Sequence, residues 1–280
     1  MNKSILLATL SALTLGANAG DWGKTPVEPK VVIEECVDLG GSISTGYMSD
    51  YIFYGVRFAG DSAWTDVNYT FDGLAIPITV GAWYLNGINE DAGPVGGDYD
   101  ELRLYASAAI GTFAGFDVAL GYTHYIFPEF RSNVAPTGGY GEIGLNIKRS
   151  LGFVDVLFES NYAMGGGGTS PNGWYHQLGL EKTIGITDSI GLVLGAGVGY
   201  SDEYFQVGGI VPNVFSPRSS GWNHYYVTAS LPIQLNCRTT LTPYIGYNGG
   251  PDTWIVDGIA GSNQLQSDIL HGGVSLKVTF

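Results

Sequence analysis

The sequence predicts an all-β fold: a single transmembrane, antiparallel, up-and-down β-barrel of about twelve strands. Residues 274–280 alternate between apolar and polar side chains and stop on an aromatic residue, Phe280, which is how outer-membrane barrels commonly end. Only 14% of the residues are charged, whereas globular chains average about 25%. The chain also contains 43 glycines. This composition suits a barrel with lipid outside and small or polar side chains inside.

Strand-like segments of nearly the length that a tilted membrane strand needs recur along the chain. Their alternation is clearest near 99–112, where Leu102 and Leu104 alternate with Glu101 and Arg103. We predict strands at 41–55, 64–72, 75–85, 99–112, 115–127, 139–149, 152–163, 174–185, 190–201, 222–234, 239–247 and 268–280.

The connections between these segments alternate in length. Tight turns such as Asp72-Gly73-Leu74 alternate with long connections rich in Gly, Pro, Asn, Asp and Ser. Outer-membrane barrels have this asymmetry, with the short turns in the periplasm. The even strand count then places both ends of the barrel on the periplasmic side. We predict long connections at 87–98, 128–138, 164–173, 202–221 and 248–267, with an intermediate one at 56–63.

Aromatic residues cluster near both ends of the segments, as in the aromatic belts at the two lipid–water interfaces. We predict a long-loop belt of Tyr51, Phe53, Tyr84, Tyr122, Tyr162, Trp174, Tyr200, Tyr225 and Tyr247. We predict a short-turn belt of Phe71, Phe113, Phe116, Phe153 and Phe280. The alternative, a soluble β-sandwich or lipocalin-like barrel, would need outer faces with far more charge.

The first nineteen residues have the form of a secretory signal peptide. Lys3 supplies the charged end, an apolar stretch follows, and Ala17-Asn18-Ala19 supplies a small-x-small cleavage site. The apolar stretch is too short to span about 30 Å of hydrocarbon as a helix. We therefore predict a signal peptide at 1–19, a periplasmic segment at 20–40 and an outer-membrane barrel at 41–280, in a Gram-negative-type bacterium.

The formal net charge is −14, which argues against nucleic acid as a partner. Acidic patches would favour cations, or divalent ions that bridge to lipopolysaccharide phosphates. Acidity that only aids solubility in the periplasm explains the charge equally well. The expected partners are outer-membrane lipid and lipopolysaccharide, small solutes or cations, and the barrel-assembly machinery, which would engage the strand ending in Phe280.

Two cysteines, Cys36 and Cys237, fall at the predicted periplasmic rim. An exported chain meets an oxidising compartment, and two cysteines allow one intramolecular disulfide. Such a bond would pin segment 20–40 near the barrel mouth, with about 4 kcal/mol or more from loop closure. Two unpaired thiols are the alternative. The segment would otherwise serve as a flexible tether or a partial plug.

Residues 47–56, Tyr-Met-Ser-Asp-Tyr-Ile-Phe-Tyr-Gly-Val, resemble the opening strand of the Gcw_chp-type family of bacterial outer-membrane proteins of unknown function. Members commonly show Ser-Asp-Tyr-x-Phe-Arg-Gly there. In this chain Tyr54 stands where Arg is usual, and Arg57 follows three positions later. Residues 272–280 also resemble that family's end. The resemblance implies an outer-membrane barrel and no known activity.

The sequence offers little support for catalysis or a metal site. A nucleophilic mechanism needs a serine within reach of an oriented histidine. Among His124, His176, His224 and His271, the best candidate is His224, with Ser219 and Ser220 nearby. No Gly-x-Ser-x-Gly elbow occurs, so we expect no enzyme and no cofactor. The acidic stretch of Glu90, Asp91, Asp98, Asp100 and Glu101 fits no EF-hand spacing and predicts a solvated loop.

The predicted inner face is more informative, because charges inside a barrel either pair or line a wet path. Acids outnumber bases there, which predicts cation preference if the barrel conducts. We therefore expect a narrow, porin-like channel for small solutes or cations. The alternatives are a closed structural or surface-interaction barrel and, third, a lipid-acting enzyme. The predicted lumen-lining residues are Asp66, Glu101, Arg103, Asp117, Glu142, Lys148, Asp155, Glu159, Glu181, His271 and Lys277.

Overall fold

A computed structural model describes residues 39–88, 99–128, 139–165, 172–204, 220–250 and 268–280. The predicted signal peptide and Cys36 lie outside these residues, as does most of the predicted segment 20–40. Most of the long connections also lie outside them. Within the described ranges, no helix is long and apolar enough to cross a membrane.

The described chain forms one closed, antiparallel barrel of twelve strands, which confirms the predicted fold class. Strands follow one another around the wall, and β1 pairs with both β4 and the last strand, β15. The wall strands are β1 Gly41–Met48, β4 Ser62–Phe71, β5 Ile78–Gly87, β6 Asp100–Phe113, β7 Phe116–Ile126, β8 Tyr140–Ser150, β9 Asp155–Met164, β10 Asn172–Gly185, β11 Gly191–Asp202, β12 Ser220–Ser230, β13 Ile233–Asn236, β14 Thr239–Gly249 and β15 Asp268–Thr279.

One wall strand is divided in two at Leu231-Pro232. Proline has no backbone N–H and interrupts a ladder of hydrogen bonds. The chain resumes as β13, and both β12 and β13 pair with β14. They therefore count as one strand of the barrel.

The two ends of the barrel meet on the side of the short turns. The Phe280 N–H donates to the Gly41 carbonyl at 2.9 Å, and the Gly41 N–H donates to the Phe280 carbonyl at 3.0 Å. The aromatic terminal residue is therefore paired with the start of the first strand. Of the tight turns, Ala114-Gly115 has φ of 51° and 81°, which is the geometry of a two-residue type I′ hairpin.

Side chains alternate across the wall as the period of two requires. In β15, Val274, Leu276 and Val278 are exposed, whereas the intervening Ser275 and Lys277 are partly covered. In β6, Leu104 is exposed while Glu101 and Arg103 are buried. The barrel thus carries its apolar side chains outside and encloses its polar ones.

The prediction of a first strand at 41–55 is wrong beyond Met48. The chain leaves the wall there and forms a separate hairpin of β2 (Tyr51–Phe53) and β3 (Val56–Ala59). Tyr51 and Phe53 are 0% and 4% exposed, so they do not belong to the lipid-facing belt that we predicted. We call residues 50–60 the plug hairpin.

Candidate functional site

The plug hairpin lies inside the barrel, toward the long-loop ends of the strands. Its turn is Tyr54-Gly55, with φ of 49° and 81°, again the type I′ geometry that suits two-residue hairpins. At its base, the Arg57 guanidinium lies 2.6 Å from the Asp50 carboxylate. A turn and an ion pair that are local in sequence therefore fold this segment back on itself.

The tip of the plug hairpin is hydrogen-bonded to several strands around the wall. The Tyr54 hydroxyl donates to Glu142 Oε1 at 2.7 Å and accepts from Asn161 Nδ2 at 2.6 Å. Burial raises the pKa of this hydroxyl well above its ordinary value, so Tyr54 stays neutral and keeps its proton to donate. The tip backbone is also held, because Asn223 donates to the Tyr54 carbonyl and Asn248 to the Gly55 carbonyl. These bonds reach β8, β9, β12 and β14.

Aromatic rings fill the space around the hairpin. The Tyr54 ring stacks on Tyr175 of β10, with centroids 3.7 Å apart and planes at 16°. On the opposite side, Tyr51 packs against Trp83 of β5 and Tyr99. The buried apolar cluster of the described residues is centred here, inside the lumen. The hairpin and these rings therefore close the outer half of the barrel.

The Glu101–Arg103 pair anchors the hairpin on β6. Arg103 Nε donates to Glu101 Oε1, and the Tyr51 hydroxyl donates to Glu101 Oε2 at 3.0 Å. The Arg103 guanidinium also lies 4.4 Å from the centre of the Trp83 ring and 5.0 Å from that of Phe53. A desolvated cation over aromatic faces contributes about 2 kcal/mol or more, so this buried charge is well compensated.

Below the hairpin, toward the short turns, the inner wall is polar; we call this half of the lumen the vestibule. Asp66 accepts from the Tyr105 hydroxyl at 2.8 Å and from Asn68 Nδ2 at 2.7 Å. Lys148 Nζ lies 2.7 Å from Asp155 Oδ2. The side chains at this level are therefore bonded to one another along the wall rather than to the hairpin.

The predicted lumen residues divide between these two levels. Glu101, Arg103, Glu142 and Glu159 are all buried around the hairpin, with His271 also buried, on β15. The residues at vestibule level are Asp66, which is buried, and Asp117, Lys148, Asp155, Glu181 and Lys277, which are partly exposed.

Sequence reasoning missed the residues that close the barrel. The predicted strand at 41–55 puts Tyr51 and Tyr54 in the wall, and Trp83 is a large aromatic residue at an inward position where the prediction is a small or polar one. Asn161 has no role in the predictions from the sequence. One signal for the hairpin was present in the sequence: Tyr54-Gly55 precedes Val56, and glycine at the second turn position is typical of type I′ turns.

The serine and histidine that a nucleophilic mechanism would need do not come together among the described residues. The Ser220 hydroxyl donates to Asp202 rather than to His224, and Ser219 lies outside the described residues. His224 is buried, with its Nε2 atom 3.4 Å from the Tyr175 hydroxyl and its Nδ1 atom 3.3 Å from Asn223 Nδ2. It therefore supports the hairpin tip.

The acidic stretch predicted as a solvated loop is only partly described. Glu90, Asp91 and Asp98 lie outside the described residues. The prediction is wrong for Asp100 and Glu101, which begin β6 and are buried. Asp100 accepts from Asn86 Nδ2 at 2.6 Å. In the part of the chain that the structure describes, no three His, Cys, Asp or Glu side chains come together to hold a metal ion. Cys237 lies in the turn between β13 and β14.

Solved structures similar to this chain are outer-membrane β-barrels. A KdgM porin aligns with a TM-score of 0.50 and 8% identity over 85% of this chain and 99% of that chain. A NanC porin aligns at 0.48 and 10% identity over 86% and 98%, and outer membrane phospholipase A from Escherichia coli at 0.41 and 14% over 85% and 92%. No protein-family model and no curated protein sequence matches the chain. At these identities the likeness is one of fold, and the chain has the fold of an outer-membrane β-barrel.

Proposed function

We propose that this protein is a narrow outer-membrane channel for small solutes or cations, with the plug hairpin as its constriction. The observation that carries the proposal is the contrast between the two faces of a closed barrel. The outside is apolar, and the inside below the hairpin is lined by polar and charged side chains. In outer-membrane barrels a polar interior forms a water-filled channel or is closed by a plug.

The charge of the inner wall supports cation preference. Glu101 and Asp155 are matched by Arg103 and Lys148. Asp66, Glu142 and Glu159 carry no ion pair to a basic side chain within 4 Å in the described ranges. Acidic side chains that line a pore favour cations.

Planar-bilayer recording tests the proposal with two forms of the protein. One is the natural chain, and the other has residues 50–60 replaced by a short Gly-Ser linker between β1 and β4. We expect rare or small currents from the natural chain, large steady currents from the linker variant, and a reversal potential in a KCl gradient that indicates cation preference. Insulation by both forms would contradict a channel, and anion preference would contradict the charge argument.

The second candidate is a non-conducting structural or surface-interaction barrel. The hydrogen bonds from the hairpin tip to four strands favour it, because they brace the barrel from within. In that case the linker variant would lose stability. An enzyme acting on lipid is the third candidate, and no assembled nucleophile in the described residues supports it.

The remaining sequence predictions stand as proposals alongside this function. They are the signal peptide at 1–19, the periplasmic segment at 20–40, lipopolysaccharide as a neighbour and engagement of the assembly machinery by the strand that ends in Phe280. Membership of the Gcw_chp-type family is a further proposal. It rests on the resemblance of residues 47–56 and 272–280, and the first of these includes the start of the plug hairpin.

A further inference from the structure

Two carboxylates are buried together beside the tip of the plug hairpin. Glu142 and Glu159 are 3% and 2% exposed. Asn161 links them, because its Nδ2 atom donates to Glu159 Oε1 and to the Tyr54 hydroxyl, which in turn donates to Glu142 Oε1. Each of the two carboxyl groups therefore receives at least one neutral donor.

Neutral donors do not offset a negative charge on either carboxyl group. Burying an ionised carboxylate is costly unless it is paired with an opposite charge or with a metal ion. The neighbouring Glu101 meets that condition through Arg103. Neither Glu142 nor Glu159 lies within 4 Å of a basic group in the described part of the chain.

A second, independent observation points to a missing partner at Glu159. Its Oε2 atom is buried and accepts no hydrogen bond, and neither does Asn146 Oδ1. Asn146 is 9% exposed and lies directly opposite Glu159 in the β8–β9 register. Side chains at such positions on one face have Cβ atoms about 4.5–5.5 Å apart. Two acceptor oxygens without hydrogen bonds thus belong to side chains at directly opposed positions on the inner face of the wall.

We propose that Glu159 and Asn146 bind a hard inorganic cation on the vestibule side of the hairpin tip. Carboxylate and amide oxygens are the ligands that such cations take in proteins. The bound cation would satisfy both acceptors and offset the charge of the Glu142–Glu159 pair. The role of this site in transport rests on the proposed channel, whereas binding itself does not require that the barrel conduct.

Thermal unfolding of the full chain in detergent tests binding without any current. Ionic strength is held constant while choline chloride is exchanged for NaCl, KCl, MgCl₂ or CaCl₂. We expect at least one inorganic cation to raise the unfolding midpoint in a saturable way, since a ligand that binds only the folded state stabilises it. Calorimetric titration of the natural chain with the same chlorides should give a matching dissociation constant.

Two variants and a control locate the effect. Glu159→Gln supplies an amide donor in place of the cation, so the cation-dependent rise should disappear. If this variant fails to fold, Asn146→Leu removes the other ligand and should weaken the affinity at least tenfold. Asp100→Asn is the control, because it removes a buried acid of β6 that already accepts from Asn86 Nδ2, and it should keep the rise.

A midpoint and a calorimetric signal that do not respond to any of the four cations would overturn the site. Glu159 would then carry a proton that it donates to Asn146. An equal response in natural and E159Q protein would also overturn it, by placing the cation elsewhere. An insulating barrel that still binds the cation would contradict the channel and leave the site standing.

Discussion

Tyr54 shows how one residue acquires a role that its immediate neighbours do not reveal. It adopts φ of 49°, a left-handed conformation that is uncommon for a residue with a side chain. Its ring stacks on Tyr175 and its hydroxyl bonds to Glu142 and Asn161. These contacts offset the conformational cost, and all of them involve strands distant in the sequence.

Tyr54→Phe should destabilise the protein by about 1–3 kcal/mol, because it leaves buried polar groups on Glu142 and Asn161 without their partner. The change in unfolding free energy in detergent measures this. Tyr162→Phe is the matched control, since its hydroxyl donates to Asn172 in an exposed setting where water takes over the bond. Equal stabilities of the two variants would contradict the bonding described for Tyr54.

Gly55 is a second residue whose identity depends on tertiary contact. Its φ of 81° already favours glycine. In addition, a Cβ atom at this position would lie 2.4 Å from the His224 ring. The local turn predicts a glycine here, but only the approach to β12 makes it a packing requirement as well.

At the scale of elements, the plug hairpin is a structure that the pattern of apolar and polar residues does not predict. The predicted strand at 41–55 runs past Met48, where the chain leaves the wall, into an unbroken run of four apolar and aromatic residues at 51–54. A short apolar run fits a strand of the wall and a hairpin buried in the lumen equally well, so the pattern does not separate them. The turn at Tyr54-Gly55 and the Asp50–Arg57 ion pair distinguish the hairpin from a wall strand.

Asp50→Asn should make the hairpin open more often. The Asp50–Arg57 pair is partly shielded from solvent, with side chains 11% and 20% exposed, and closes the base of the hairpin. Single-channel recording should show more frequent openings. Asp155→Asn is the control, because it breaks an ion pair with Lys148 in the wall and should change the size of currents rather than their frequency. Similar opening rates in both variants would mean that the pair does not hold the hairpin.

The predicted Cys36–Cys237 disulfide belongs to the same scale, because it would join segment 20–40 to the turn between β13 and β14. Mass spectrometry of the mature protein without reductant should show a mass about two hydrogens below that of the reduced chain. Adding reductant should raise the mass by two hydrogens, to that of the reduced chain. Two thiols open to alkylation in the untreated protein would exclude the bond.

At the scale of the whole molecule, the alternation of apolar and polar side chains determines which face of the barrel wall meets lipid. Val227 is 53% exposed on the outer face, and the adjacent Thr228 points inward. Val227→Lys should cost about 2–4 kcal/mol if this position lies near the middle of the bilayer. Thr228→Lys should cost much less, because its ammonium group reaches the polar vestibule. Folding free energies in lipid vesicles measure both, and a reversed order would contradict the assignment of faces.

The sequence by itself determined that the chain closes into a barrel, how its strands alternate and which charged residues share one face. Those features follow from a period of two, from turn chemistry and from the scarcity of charge, all of which are local. Tertiary structure alone decided that residues 50–60 enter the lumen and that Tyr54, Asn161 and Glu142 meet. Contacts between residues about a hundred positions apart depend on barrel closure, and no local pattern encodes which side chains will then face one another.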